Sequence, residues 1–195
     1  GSGGDVLAMQ ADVRQEEPTG LFVSAVRERF GSVDVLVNNA GGSFHAPFSD
    51  VSAKGEAMLV AENFPPVTRL VRLVVPLMPG DGSIVNVTSI EAHQAAPGFA
   101  IYSAMKAAVA NLTASLALEL SDRGIRVNAI APDAIVTSGD GGAREEMLAA
   151  SGRYDPSLIP PLGRLGSPEE AARVVLFLSS QLSAFVTGTT IHVDG

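Results

Sequence analysis

Short apolar runs alternate with longer segments of helical periodicity along this chain. Five runs rich in Val and Ile have the length of buried strands and lack the polar alternation of a strand that faces solvent. These runs are Val6 to Ala11, Val33 to Asn38, Ser83 to Thr88, Ile125 to Ile130 and Thr189 to Val193. Because each run is apolar toward both sides, the pattern predicts strands that are covered on both faces, as in a parallel sheet.

Helix-period segments fill the intervals between these strands. They are Pro18 to Phe30, about Pro66 to Met78, about Ala100 to Ser121, and Pro168 to Ser180. Glycines close the first and third segments, and Ser167-Pro168-Glu169-Glu170 begins the last one with a capping box. Strands that alternate with helices pair in parallel through right-handed crossovers, so the pattern predicts an α/β fold with a doubly wound sheet.

The composition fits one compact domain over residues 1–195, because 46% of the residues are hydrophobic and only 17% are charged. The formal charge of -8 opposes binding to nucleic acid or to an anionic membrane, since both favour a positive surface. No uninterrupted apolar run has the length of a membrane-spanning helix. The chain contains no cysteine, which excludes disulfides and a thiol nucleophile and permits the cytoplasmic location that we expect.

One long stretch, Pro132 to Gly166, is irregular and rich in Gly, Pro, Ser and Asp. Such a composition suits a loop over a binding site, and we expect residues 138–165 to form a substrate-binding loop or lid. The histidines, His45, His93 and His192, lack a metal-ligand spacing, so the sequence predicts no metal site. His93 alone is a candidate for the substrate pocket.

Tyr102 and Lys106 form the strongest local signal for chemistry. At this spacing on a helix they share one face, where the ammonium stabilises the phenolate and lowers the pKa of the tyrosine toward a useful acid/base range. The spacing alone is common on ordinary helix surfaces, so its context decides. Ser89 supplies that context, because it follows the strand Ser83 to Thr88 and open α/β sheets bind ligands at strand ends. An ordinary turn serine is the alternative interpretation.

Further motifs resemble those of the short-chain dehydrogenase/reductase family, in the same order and at similar spacing. They are Asp12-Val13, Asn38-Asn39-Ala40-Gly41, Asn63, Asn86-Val87-Thr88-Ser89, Tyr102 to Lys106, Arg126-Val127-Asn128, Pro132 to Thr137, and the closing segment from Val186-Thr187-Gly188 to Gly195. The resemblance covers essentially the whole chain. It implies a three-layer fold of the Rossmann type and an NAD(P)-dependent enzyme.

The resemblance also implies a catalytic set. Tyr102 would be the general acid and base, and Ser89 would orient and polarise the substrate oxygen. Lys106 would lower the pKa of the tyrosine and bind the nicotinamide ribose, and Asn63 would hold a water molecule in the proton relay. The surroundings of Asn63 depart from the family pattern, because two prolines soon follow it and disfavour a helix that continues through it.

The same resemblance assigns residues to the cofactor. They are Asp12 and Val13 at the adenine ring, Asn39, Ala40 and Gly41 on the adenosine side, Thr88, Pro132, Asp133, Ile135 and Thr137 at the nicotinamide half, and Tyr102 with Lys106. Asp133 replaces the family's usual glycine, which either brings a carboxylate near the nicotinamide ring or only supplies a turn residue. Glu91 stands where the family more often has a small residue, and it either meets a polar or cationic substrate or lies exposed to solvent.

The glycine-rich segment that should begin such a fold is missing. The resemblance makes Val6 to Ala11 the third strand, and nothing before Asp5 resembles the first two strands or the turn that holds a pyrophosphate. In the strand order 3-2-1-4-5-6, the third strand then lacks a neighbour and exposes backbone and apolar groups. Three explanations stay open: a fragment of a normal enzyme, a sequence that omits a segment, or a natural homologue that has lost cofactor binding.

Two functional hypotheses follow from these residues. The first is hydride transfer between a secondary alcohol or ketone, in the manner of an oxoacyl reductase, and NAD or NADP, which the chain does not distinguish. The second is a catalytically silent homologue that acts as a binding or scaffold subunit. The resemblance also implies a homodimer or homotetramer, assembled through the helices that precede and contain Tyr102.

Overall fold

The computed structural model describes residues 4–136 and 160–195, which contain a four-stranded sheet. Its strands are β1 (Val35–Asn38), β2 (Ser83–Val87), β3 (Arg126–Pro132) and β4 (Thr190–Val193), which lie side by side in that order. Every neighbouring pair is parallel. The carboxyl ends of all the strands therefore lie at one edge of the sheet, where a ligand is expected.

Helices cover both faces of this sheet. Within the described residues they are α1 (Glu16–Phe30), α2 (Ala53–Asn63), α3 (Pro65–Val74), α4 (Ala100–Glu119) and α5 (Pro168–Ser179). Short 3-10 turns lie at Phe48–Asp50, Val75–Leu77, Ile90–Ala92, Ser121–Arg123 and Gln181–Ser183. Helices α1, α3 and α4 contribute to the core on one face, and α5 packs on the other.

The strands are buried between these two helical layers, as their apolar sequences predict. Ile84 and Val127 pack with Val71 of α3 on one face, whereas Val85 packs with Leu178 of α5 on the other. Successive residues of β2 thus point to opposite faces, which is the geometry of an extended strand. The predicted α/β fold, with a parallel sheet between two helical layers, is confirmed.

The prediction of a strand at Val6 to Ala11 is wrong. The segment pairs with no strand of the sheet, and Val6 is 71% exposed. An apolar extended segment becomes a strand only when a neighbour accepts and donates its backbone hydrogen bonds, and no described strand lies beside it. One face of β1 shows a similar lack of cover, because Val35 and Val37, which point to the same side of the strand, remain about two-fifths exposed, at 39% and 41%.

The helix boundaries differ modestly from those predicted. The first helix begins at Glu16, and the segment after Val74 tightens into a 3-10 turn instead of continuing to Met78. The capping box of α5 is confirmed, since Ser167 Oγ accepts from the Glu170 backbone and the Glu170 carboxylate accepts from the Ser167 backbone. Helix α2 was not predicted, because it buries only Leu59 and Asn63 and so has no apolar stripe.

Two further features concern the break between α2 and α3 and the apolar character of α4. The helical path is interrupted at Phe64, between α2 and α3, as expected because the prolines that follow cannot donate a backbone hydrogen bond. By length and composition, α4 is apolar enough to cross a membrane. It packs against β3 and α2 and buries Lys106 and Thr113 there, which is the position of a core helix beside the sheet.

Candidate active site

A cleft of about 740 Å³ lies at the carboxyl ends of β1, β2 and β3. Most of the predicted site residues line it: Asn39, Gly41, Thr88, Ser89, Tyr102, Lys106, Pro132, Asp133 and Ile135. Apolar side chains of α5, among them Ala171 and Val175, form part of the opposite wall. The structure therefore brings the predicted catalytic residues and the predicted nicotinamide contacts to one cleft.

Ser89 is placed in the cleft by the end of β2. The residue before it, Thr88, is held to β3 because both its backbone N–H and its hydroxyl donate to the carbonyl oxygen of Ile130, at 2.8 and 2.7 Å. The buried Ser89 hydroxyl then donates to the carboxylate of Glu91 and accepts from the Glu91 backbone N–H at 3.4 Å. The serine hydroxyl thus already has an anionic partner within its own loop.

Tyr102 lies in the first turn of α4, and it is partly buried beside Ser89. Burial raises the pKa of the Tyr102 phenol above its ordinary value, a hydrogen bond with Ser89 lowers it, and the negative charge of Glu91 raises it further. The predicted lowering of this pKa by Lys106 is therefore not found in the protein alone, because desolvation of the phenolate is the largest cause of the shift and it raises the pKa. Tyr102 holds its proton firmly in this state.

Lys106 lies one helical turn after Tyr102, with its Nζ 5.6 Å from the centre of the tyrosine ring. The side chain is buried, and Nζ donates to the carbonyl oxygen of Val87 at 3.0 Å. Burial lowers the pKa of Lys106 to about 8. The ammonium form therefore still predominates at neutral pH.

Asn63 reaches the same place from the end of α2. Its buried amide nitrogen donates to the carbonyl oxygens of Gly42 and Leu59, each at 2.8 Å. Its Oδ1 is buried without a hydrogen-bond partner among the described residues. A Cβ atom on Gly41 would lie 2.7 Å from this oxygen and 3.3 Å from Lys106 Nζ, so the two polar atoms converge on the glycine.

These atoms fit the sugar end of a nicotinamide cofactor and a relay water. An ammonium has three donors, and Lys106 uses one of them on Val87, which leaves donors for ribose hydroxyls. Asn63 Oδ1 is a buried acceptor of the kind that a bound water or hydroxyl normally satisfies. The donor set is therefore compatible with the group that the sequence implies.

The predicted adenosine contacts are only partly gathered in the cleft. Asn39 and Gly41 line it, whereas Asp12, Val13 and Ala40 do not. The Asp12 carboxylate accepts several hydrogen bonds from Arg14, which hold the pKa of Asp12 at about 2.

The predicted nicotinamide contacts lie at the end of β3. Pro132, Asp133 and Ile135 line the cleft, whereas Thr137 and the predicted lid up to residue 159 lie outside the described residues. Asp133 donates its backbone N–H to Val193, and its φ is not in the left-handed region. The Asp133 carbonyl oxygen accepts from the Ile135 backbone N–H at 3.0 Å, which is a tight-turn contact, so both interpretations of Asp133 fit the structure.

His93 is not among the residues that line this cleft. Its ring is exposed and lies 4.7 Å from the ring of His192, in a tilted pair. Burial, with the charge of His192 adding to it, lowers the pKa of His93. The histidine predicted as a pocket candidate is therefore paired with β4 instead.

Sequence reasoning missed a buried polar network behind the site. Asn38 of β1 donates to Asn86 of β2 at 2.8 Å, and Asn86 donates to Thr113 of α4 at 2.9 Å. All three side chains are buried, so the network ties two strands to the helix that carries Tyr102. The signal was present, since an asparagine inside an otherwise apolar strand requires a partner.

Arg14 was missed as well. Its guanidinium bridges the Asp12 carboxylate at 2.8 Å and the Glu62 carboxylate at 3.1 Å. Glu62 belongs to α2 and directly precedes Asn63, so this bridge ties the segment after Val6 to Ala11 to the helix of the site. No spacing rule links residues so far apart in sequence.

Comparison with known families extends this description. A family model described as enoyl-(acyl carrier protein) reductase matches residues 1–195. The chain is 38% identical to 3beta-hydroxysteroid dehydrogenase 1 of Eggerthella lenta, over 100% of this chain and 74% of that protein. It is 40% identical to a 3-oxoacyl-(acyl-carrier-protein) reductase of Thermotoga maritima, over 89% of this chain and 69% of that protein.

Solved structures resemble the fold closely. A glucose/ribitol dehydrogenase of Brucella melitensis, titled a short-chain dehydrogenase/reductase, superposes with a TM-score of 0.86 at 32% identity, over 95% of this chain and 73% of that one. The ligand-free aldohexose dehydrogenase of Thermoplasma acidophilum gives 0.85 at 29% identity, over 95% of this chain and 76% of that one.

Proposed function

Because this chain belongs to the short-chain dehydrogenase/reductase family of NAD(P)-dependent oxidoreductases, we propose that it interconverts a secondary alcohol and a ketone, with Tyr102 as general acid and base. The observation that carries the proposal is the meeting of Ser89, Tyr102 and Lys106 in one cleft at the carboxyl ends of the strands. When bound, the nicotinamide cofactor supplies or accepts the hydride. The side chains of the protein handle the proton and the developing charge.

Tyr102 moves the proton. Its raised pKa keeps the phenol protonated at neutral pH, so it is ready to donate to a ketone oxygen as that oxygen gains negative charge. Donation leaves a phenolate, which the Lys106 ammonium stabilises, and in the oxidation direction this phenolate accepts the alcohol proton and returns to the neutral phenol. The low pKa of Lys106, about 8, means that this cation is lost in moderately alkaline solution.

Ser89 orients the substrate oxygen. Its hydroxyl lies beside the Tyr102 phenol in a buried position, where a hydrogen bond to a developing oxyanion is stronger than in water. Asn63 and Lys106 extend the site inward. We infer that Asn63 Oδ1 accepts from a water that also contacts the Lys106 ammonium, because the two atoms converge on Gly41 and the oxygen is otherwise unpaired among the described residues.

The cofactor form and the substrate are further parts of the proposal. The described residues favour neither NAD nor NADP. The relatives named above act, by their names, on hydroxysteroids, on 3-oxoacyl thioesters and on sugars or polyols. These substrates share a secondary alcohol or ketone, and an oxoacyl-reductase-like substrate is one member of that class.

Titration with NADH and NADPH, followed by assays of secondary alcohols with NAD and NADP, tests the proposal. We expect a saturable change in nicotinamide fluorescence with at least one cofactor, and turnover of at least one alcohol. A protein that gives neither would contradict the proposal and support the silent binding subunit instead. Among the described residues, all four predicted catalytic side chains are present and three of them line the cleft, which supports the oxidoreductase over that second hypothesis.

We also infer a homodimer or homotetramer through α4, which contains Tyr102, and the helix that precedes it. Leu118 on α4 is 79% exposed and Ala104 on the same helix is exposed, so this surface offers an apolar side chain and a small one for close helix packing. Chromatography with light scattering at several concentrations tests this assembly. We propose a cytoplasmic location, which the lack of cysteine in this sequence permits.

A further inference from the structure

Glu91 carries a carboxylate in the loop that follows β2, and the proton transfer described above does not use it. It lies in the 3-10 turn Ile90–Ala92, immediately after Ser89. The side chain is half-buried and folds back onto the serine, whose hydroxyl donates to Glu91 Oε2. Glu91 is not itself among the residues that line the cleft, but one of its carboxylate oxygens is a single hydrogen bond away from Ser89, which does line it.

The charge of Glu91 opposes the reaction unless something offsets it. It raises the pKa of Tyr102, so it lies close enough to disfavour the phenolate, and it equally disfavours a developing alkoxide on the substrate. Among residues 4–136 and 160–195, no Lys or Arg forms an ion pair with Glu91. Within that part of the chain, the carboxylate has only the Ser89 hydroxyl as a side-chain donor.

A substrate can supply the missing donor. In a vicinal diol or amino alcohol, the two heteroatoms are separated by about one hydrogen-bond length. Ser89 Oγ and Glu91 Oε2 are direct neighbours, since the hydroxyl donates to the carboxylate, so they present a donor and an acceptor side by side. When the Ser89 hydroxyl rotates to donate its single proton to the substrate oxygen, it releases Glu91 Oε2, and the neighbouring hydroxyl or ammonium of the substrate can then donate to that carboxylate oxygen.

We propose that Glu91 is a substrate-binding residue that selects alcohols and ketones with a hydroxyl or ammonium donor on the carbon next to the reacting one. The inference rests on the proposed oxidoreduction and narrows its substrate class. The carboxylate then acts in two ways. It accepts a charge-assisted hydrogen bond that fixes the position of the substrate. It also disfavours substrates that lack this neighbouring donor, because its negative charge then repels the negative charge that develops on the reacting oxygen.

The test compares cyclohexanol, vicinal cyclohexanediol and the corresponding vicinal amino alcohol in the wild type and in Glu91→Gln. We expect the wild type to prefer the diol over cyclohexanol by about tenfold or more in kcat/KM, since hydrogen bonds to charged groups are the strong ones. In Glu91→Gln, kcat/KM should fall for the diol and rise for cyclohexanol. If the natural donor is an ammonium, the amino alcohol should lose more than the diol.

Controls keep the outcomes distinct. Glu28→Gln, on the exposed surface of α1, removes the same charge far from the loop and should leave both rates unchanged. Glu91→Ala repeats the measurement if the glutamine variant folds poorly. Turnover of all the alcohols with the same diol-to-cyclohexanol ratio in wild type and Glu91 variants would overturn this inference alone and leave Glu91 as a turn residue. Failure of the wild type to turn over any alcohol would overturn the oxidoreduction and this inference together.

Discussion

Gly41 and Asn63 are in contact such that a Cβ atom on the glycine would lie 2.7 Å from Asn63 Oδ1. Real Cβ atoms essentially never approach another atom so closely, so a side chain at this position must displace the asparagine. From the sequence, Gly41 is predicted to lie on the adenosine side of the cofactor. The structure adds that a side chain at this position would collide with Asn63 and crowd Lys106, two residues of the proposed catalytic set.

Gly41→Ala should therefore impair catalysis. We expect the new methyl group to displace Asn63 and Lys106 by a fraction of an ångström and to lower kcat by up to about 100-fold, because small misplacements are costly in an oriented site. Overpacking should also lower the free energy of unfolding by about 1–3 kcal/mol. Gly20→Ala is the matched control, since nothing lies within 4 Å of its added Cβ and alanine favours the helix by up to about 1 kcal/mol. A wild-type kcat in Gly41→Ala would contradict this prediction, because it would show that the positions of Asn63 and Lys106 do not limit catalysis.

Asn86→Ala should destabilise the fold through the buried network. The substitution removes the acceptor of the Asn38 amide and the donor to Thr113, and the buried Asn38 Nδ2 then has no partner. We expect a loss of about 1–3 kcal/mol for each buried group left unpaired. Urea denaturation measures this loss against Asn111→Ala, an exposed asparagine on α4 that should change stability by less than about 0.5 kcal/mol. Equal stability of the two variants would mean that the network does not stabilise the native state.

Lys106 should make stability depend on alkaline pH. Its pKa is about 8 in the folded protein and 10.5 when unperturbed, so between these values the unfolded chain binds the extra proton. The free energy of unfolding contributed by this residue therefore rises between pH 8 and 10.5, by up to about 3 kcal/mol, and is flat below pH 8. The difference in stability between wild type and Lys106→Met, measured by denaturation across this range, isolates the effect because other groups cancel. A difference that stays constant from pH 7 to about 10.5 would contradict the depressed pKa.

Much of the fold is predictable because its signals are local. The apolar runs of β2 and β3 are long enough to identify buried strands, and the capping box locates the start of α5 within its own four residues. Val6 to Ala11 has a similar local pattern and still forms no strand. A strand forms only beside a second strand that pairs with its backbone, and the residues of the segment itself do not reveal whether such a partner is present. Helix α2 escapes prediction for the opposite reason, since its stability comes from a cap and tertiary contacts instead of an apolar stripe.

The candidate site divides in the same way. The spacing of Tyr102 and Lys106 is a local fact of one helix, and it predicts their shared face correctly. The sign of the Tyr102 pKa shift is not local, because it depends on how deeply the fold buries the phenol. The Arg14 bridge and the Asn38–Asn86 pair join residues far apart in sequence, so only the folded chain reveals them.

The proposed oxidoreduction requires Tyr102 as the residue that moves the proton. We predict that Tyr102→Phe lowers kcat for ketone reduction by about 100- to 10,000-fold, the usual contribution of a general acid and base. Cofactor binding by fluorescence titration and the midpoint of thermal unfolding should stay close to wild type, because the ring and its packing are retained. The result that would contradict the account is a Tyr102→Phe protein that folds, binds the cofactor and turns over at the wild-type rate.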